Sequence, residues 1–99
     1  MTSAAEVRLD QTWRLSPSVA LRPEPFGALA YHFGNRRLTF LKRRELVEVV
    51  RALSEQPDVR AALIAAGLPE RHWPAYLTAL QGLADTDMLR HDESTEAPA

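Results

Sequence analysis

The chain has 99 residues, 45% of them hydrophobic, which fits one small domain with a modest core. It has no cysteine, which excludes a disulfide framework and a thiolate metal site; it also shows no signal-peptide pattern at Met1-Thr-Ser-Ala-Ala-Glu6 and no apolar run near the roughly 18 residues of a membrane span, so a cytoplasmic protein without a membrane partner is expected. The net charge of -1 hides a separation: residues 14–44 carry seven Arg or Lys and one acid, Glu24, whereas residues 45–99 carry four Arg and ten acids. Such a division either steers a charged partner to one face or is consumed by pairing between the two halves.

In chain order, residues 1–12 and 91–99 are polar and aperiodic and are expected to be flexible tails around a domain at 13–90. Trp13 and Trp73 read as core or rim aromatics. Val19 and Leu21 begin an alternating segment, and Pro23 and Pro25 confine it to an edge or a bend. Leu29, Tyr31 and Phe33 then alternate with Ala28, Ala30 and His32, up to Gly34-Asn35, a two-residue hairpin signal in which Gly34 supplies positive φ. That turn sets Phe33 opposite Arg36, Tyr31 opposite Leu38 and Leu29 opposite Phe40. The large apolar residues of both strands then share one face, which the following helices are expected to cover.

From Arg43 the period turns helical. Leu46, Val47, Val49, Val50 and Leu53 form a stripe ended by Ser54-Glu-Gln-Pro57. Asp58 is placed to cap a second helix, Val59–Ala66, with Leu63 inward and Gly67 as its stop. Trp73-Pro74 opens a third helix carrying Tyr76, Leu77, Leu80, Leu83 and Ala84. It should fray near Asp85-Thr-Asp87, with Met88 and Leu89 folding back on the body. The predicted fold is α+β and winged-helix-like, a three-stranded antiparallel meander followed by three helices.

No catalytic constellation emerges. His32, His72 and His91 are far apart in different contexts, Asp85 and Asp87 read as solvated turn residues, and Ser16 and Ser54 have no base near them. Gly27 and Gly34 belong to no phosphate-cradling run. No enzyme activity, cofactor or metal is expected. A strands-then-helices order raises DNA binding, but the segment Pro69–Met88 sets Arg71 and Gln81 against Glu70, Asp85 and Asp87 and would repel phosphate, so no nucleic-acid partner is expected. The strand Arg37-Leu-Thr-Phe-Leu41 is better suited to pairing, because its outer backbone groups are available to an extended peptide. Arg36, Arg37, Lys42, Arg43 and Arg44 bracket it and favour an acidic partner, and Arg43-Arg44 opposes the dipole of the helix it precedes. The alternative is an edge that its charges merely protect.

The segment Trp13-Arg-Leu-Ser-Pro-Ser-Val-Ala-Leu-Arg-Pro-Glu-Pro-Phe-Gly-Ala-Leu-Ala-Tyr-His-Phe-Gly34 resembles the peptide chaperone family of mycofactocin biosynthesis. The likeness continues through Arg37-Leu-Thr-Phe-Leu-Lys42 and, more loosely, through Pro74-Ala-Tyr-Leu77 and Leu80. That family is similar to the chaperone of pyrroloquinoline quinone biosynthesis and to the recognition elements of other ribosomally made peptides. The resemblance implies a non-catalytic domain that binds the leader of a precursor peptide. It further implies presentation of that peptide to a radical S-adenosylmethionine enzyme, which modifies its C-terminal Val-Tyr. It places the leader along Arg37, Leu38, Thr39, Phe40 and Leu41 on the strand side, and against Tyr76, Ala79, Leu80 and Leu83 on the helix side. A winged-helix DNA-binding domain and a structural subunit of an enzyme complex stand as the alternatives.

Overall fold

In the computed structural model, which describes residues 6–91, the chain runs β1 (Trp13–Leu15), β2 (Val19–Glu24), β3 (Gly27–His32), β4 (Leu38–Leu41), α1 (Arg44–Leu53), α2 (Val59–Ala65), one 3-10 turn (Glu70–His72), α3 (Trp73–Asp85) and β5 (Leu89–His91). Strands β2, β3 and β4 form an antiparallel meander in that order, and β1 pairs with β5 in a separate two-stranded ribbon. The meander and three helices are those expected from the alternation and the later helical period. The ribbon is an addition.

The register matches expectation: Tyr31 lies opposite Leu38 and Leu29 opposite Phe40. The large apolar residues do share a face, but it is the face turned away from the helices. Ala28, Ala30 and Leu41 are buried, whereas Leu38 and Phe40 are exposed. Small side chains on the inner face leave room for α1, whose Val49 and Val50 are fully buried, to pack on β3 and β4. The expectation that helices cover Leu29, Tyr31, Leu38 and Phe40 is therefore reversed.

The β3–β4 turn also differs from the two-residue form. His32 N–H donates to the Arg37 carbonyl (2.9 Å) and Arg36 N–H to the His32 carbonyl (2.8 Å), so residues 33–36 make a four-residue loop and Phe33 does not pair with Arg36. The positive φ sits at Arg36 (64°) rather than Gly34. Side chains hold this wider loop. His32 Nδ1 accepts from the N–H groups of Gly34 (2.9 Å) and Asn35 (3.1 Å), and Asn35 Oδ1 accepts from Arg37 N–H (2.9 Å).

Pro25 and Phe26 form the tight β2–β3 turn, and Pro23 sits on the edge strand β2, where no inner ladder bond is lost. The turn delivers Gly27 at φ 152° against the end of β4, where a Cβ would collide with the Leu41 carbonyl oxygen. Gly27→Ala is expected to cost about 2 kcal/mol or more, from strained backbone plus this clash. A thermal melt should show a drop of roughly 10 °C in Tm.

Each helix has a local cause. The α1 stripe Leu46, Val49, Val50 and Leu53 is buried, although its N-cap, Arg43, offers no side-chain acceptor. Asp58 caps α2, its Oδ1 accepting from Ala61 N–H (2.9 Å), and Gly67 at φ 78° reverses the chain after it. Pro74 falls in the first turn of α3, which buries Trp73, Tyr76, Leu80, Leu83 and Ala84. Trp73 Nε1 donates to the Leu68 carbonyl (3.0 Å) and Trp13 Nε1 to Gln11 Oε1 (2.8 Å), so both buried indoles are satisfied. Asp87 (φ 64°) turns the chain back, burying Met88 and Leu89.

The segment before β1, expected to be a free tail, packs on the body where it is described. Val7 is buried and its N–H donates to Gln81 Oε1 (2.7 Å). The carbonyls of Gln11 and Leu9 accept from Val59 and Arg60 N–H (both 3.0 Å), satisfying donors of the first turn of α2. At the other end, His91 lies in β5 and stacks on Trp13 with ring centroids 4.9 Å apart. The remainder of the expected tails, residues 1–5 and 92–99, lies outside the described residues. Among the described residues no helix is long and apolar enough to cross a membrane.

Candidate functional site

The site is built on β4, the outer strand of the meander. The bond from His32 N–H to the Arg37 carbonyl marks these two as a hydrogen-bonded position of the β3–β4 ladder. Such positions alternate in antiparallel pairing, so Thr39 and Leu41 direct their N–H and C=O groups inward, toward Ala30 and Ala28. Leu38 and Phe40 direct theirs outward. The other side of β3 agrees: Phe33 N–H donates to the Ser18 carbonyl (2.8 Å), which turns Tyr31 and Leu29 toward β2. Among the described residues no strand occupies the outer edge of β4.

Beside that edge runs a groove of about 490 Å³. Phe40, Lys42, Arg43 and Leu46 line it from the end of β4 and the start of α1, and Arg71, His72, Ala75, Tyr76 and Ala79 line it from the 3-10 turn and α3. Its width comes from Ala75 and Ala79, two small residues one helical turn apart. Its floor is apolar, and Lys42, Arg43 and Arg71 give it positive charge. Lys42, Arg43 and Arg44 are exposed, and among the described residues they and Arg36 and Arg37 form no ion pair. Within the described body, the separated charge is therefore not consumed by pairing of the basic cluster with the acidic half. The groove can take an extended chain that offers backbone bonds to Leu38 and Phe40, apolar side chains to the α3 wall and carboxylates to the cations.

The chain matches the Peptide chaperone MftB family over residues 12–90, from the residue before β1 into β5. It belongs to the MftB peptide chaperone family. It is 55% identical over 80 residues to the peptide chaperone MftB of Mycolicibacterium smegmatis, covering 81% of this chain and 78% of the relative. To that of Mycobacterium ulcerans it is 52% identical over 87 residues, covering 88% and 80%. To that of Mycobacterium tuberculosis it is 48% identical over 92 residues, covering 93% and 84%. No solved structure matches the chain. The MftB family is one of peptide chaperones, a non-catalytic role.

Within this MftB fold, the residues singled out from the sequence divide by position. Phe40, Lys42, Arg43, Tyr76 and Ala79 line the groove. Leu38 and Thr39 form the edge above it, exposed Arg37 precedes the strand, and Arg44 opens α1. Leu41 is buried beneath the sheet. Leu80 and Leu83 are core residues that hold α3 in place from within and have no surface to offer a ligand. The resemblance set them on the peptide side together with Tyr76 and Ala79, whereas their burial gives that phase of the helix to the core. Leu46, Arg71, His72 and Ala75 were not assigned to the site. The available signal was the small pair Ala75 and Ala79 flanking the bulky stripe, since small side chains at i and i+4 let another backbone approach a helix.

Proposed function

We propose that the groove binds the leader of a ribosomally made precursor peptide as a fourth strand on β4, and that the chain delivers it in the cytoplasm to the radical S-adenosylmethionine maturase of mycofactocin biosynthesis. The observation that carries this reading is the juxtaposition of an open strand edge, Leu38 and Phe40, with a cationic groove walled by Ala75, Tyr76 and Ala79. Main-chain bonds to the edge supply affinity that depends little on sequence, and side chains alternating into the groove supply selection. Holding a flexible peptide raises its local concentration and limits its pose, so the chaperone acts without chemistry of its own.

Titration of the full chain with the precursor peptide is the test, with 1:1 binding expected. Association should slow as salt rises while dissociation changes little, because Lys42, Arg43 and Arg71 act mainly by steering. Replacing Lys42 and Arg43 by Gln should flatten that response. Absence of peptide binding at micromolar concentrations would refute the reading, and salt-independent association would remove the steering role of the cations.

A further inference from the structure

The outer face of the three-stranded sheet is a further surface, which adjoins the groove at Phe40 and Lys42. Five large hydrophobic side chains of the described body are exposed, and four of them stand on this face or its rim: Phe26 (43%), Phe33 (61%), Leu38 (56%) and Phe40 (57%). Phe26 meets Phe40 edge-on with centroids 5.9 Å apart, and Phe33 meets Tyr31 edge-on at 5.3 Å, so one aromatic pair sits at each end of the face. Rings already packed on each other lose little freedom when a partner covers them. Among the described residues nothing does so. Contiguous apolar area of this kind marks an interaction surface more often than it marks bare solvent contact.

Charge at the rim chooses the occupant. Arg22 lies on this face opposite Leu29, Lys42 borders the hollow between Phe26 and Phe40, and Arg36 stands at the loop beside Phe33. Glu24, the acid nearby, lies 3.7 Å from Arg22. A second copy would bring the same cations against these, which disfavours self-association. An apolar patch edged with carboxylates meets both demands. We infer that the outer face docks a folded protein of that surface chemistry and, resting on the delivery reading above, that this protein is the enzyme receiving the peptide. A leader strand added to β4 would widen the same face by one strand, so the docked partner would touch chaperone and peptide together.

The test pairs two variants with two ligands. Arg22→Glu combined with Phe33→Ser alters the face without touching the groove lining or β4. Affinity for the precursor peptide is expected to stay within twofold of the parent, while affinity for the purified maturase falls at least tenfold. Unchanged maturase affinity in the double variant would overturn the docking face and leave delivery intact. Failure of the parent to bind maturase would overturn delivery and this inference together. Parent self-association that the double variant abolishes would reassign the face to a second copy. Since the chain has no cysteine, Phe33→Cys carries a unique environment-sensitive dye. Its emission should shift blue with maturase and stay unmoved with peptide alone, and a dye silent toward bound maturase would also overturn the proposal.

Discussion

Leu38→Pro is expected to leave the domain folded and to weaken precursor-peptide binding at least tenfold, whereas Thr39→Pro, one residue along, is expected to unfold it. Both changes remove a single N–H from β4. The difference is direction: the Leu38 N–H points to the open edge, and the Thr39 N–H points to Ala30 in the ladder. Losing the inner bond, together with the clash of the ring against β3, costs on the order of 3 kcal/mol in so small a sheet. Losing the outer donor removes a bond that exists only in the complex and sets a pyrrolidine ring where the peptide backbone must approach. A loss of about 1.4 kcal/mol already amounts to tenfold. Leu38→Ala, which keeps the N–H, separates the backbone contribution from that of the side chain. Circular dichroism melts and peptide titration on all three variants decide the matter. If Leu38→Pro binds at parent affinity, strand addition is not how the peptide is held.

Ala75→Trp is expected to abolish most peptide binding with Tm changed by no more than about 3 °C, since an exposed helical site tolerates the substitution. The indole would fill space that the small residue leaves open beside Ala79 and Tyr76. Leu80→Asp, aimed at the same helix, behaves differently. Leu80 is fully buried, so an Asp there strands a carboxylate in the core, at a cost of about 4 kcal/mol or more. That variant should be found unfolded, and its failure to bind would say nothing about the groove. Parent-like affinity of a folded Ala75→Trp protein would remove α3 from the site.

The contrast between Ala75 and Leu80 shows what could be read from the sequence. Period-two alternation located β3 and β4, and the centre of the Gly34-Asn35 turn paired them correctly, because a two-residue and a four-residue loop about that centre give the same register. It did not decide which face meets the helices. Bulk suggested Leu29, Tyr31, Leu38 and Phe40, but α1 packs against the side with Ala28 and Ala30. On α3 the resemblance grouped Leu80 and Leu83 with Tyr76 and Ala79, and their burial puts them in the core. Signals carried by one residue and its near neighbours fared better: Asp58 caps α2, and Gly67 adopts the positive φ that ends it. The Gly34-Asn35 signal located the turn but not its length, since bonds from His32 and Asn35 side chains favour four residues over two. The ribbon of β1 and β5 had no local signature. Three residues at each end of the body pair across nearly the whole domain, and nothing in Trp13-Arg-Leu15 points to Leu89-Arg-His91.

That ribbon bears on when the molecule becomes competent during synthesis. Trp13–Leu15 leaves the ribosome early and Leu89–His91 late, so β1 waits without its strand partner while everything between is made. Only then can Ser16 N–H reach the Met88 carbonyl (2.9 Å) and fasten the far end of α3. The helix that walls the groove is thus anchored last, and a nascent or C-terminally clipped chain would carry the β4 edge with no firm wall beside it. Such a fragment has every backbone donor needed to pick up a strand and little means of choosing which one. Emergence of Met88–His91 is the step that adds selectivity.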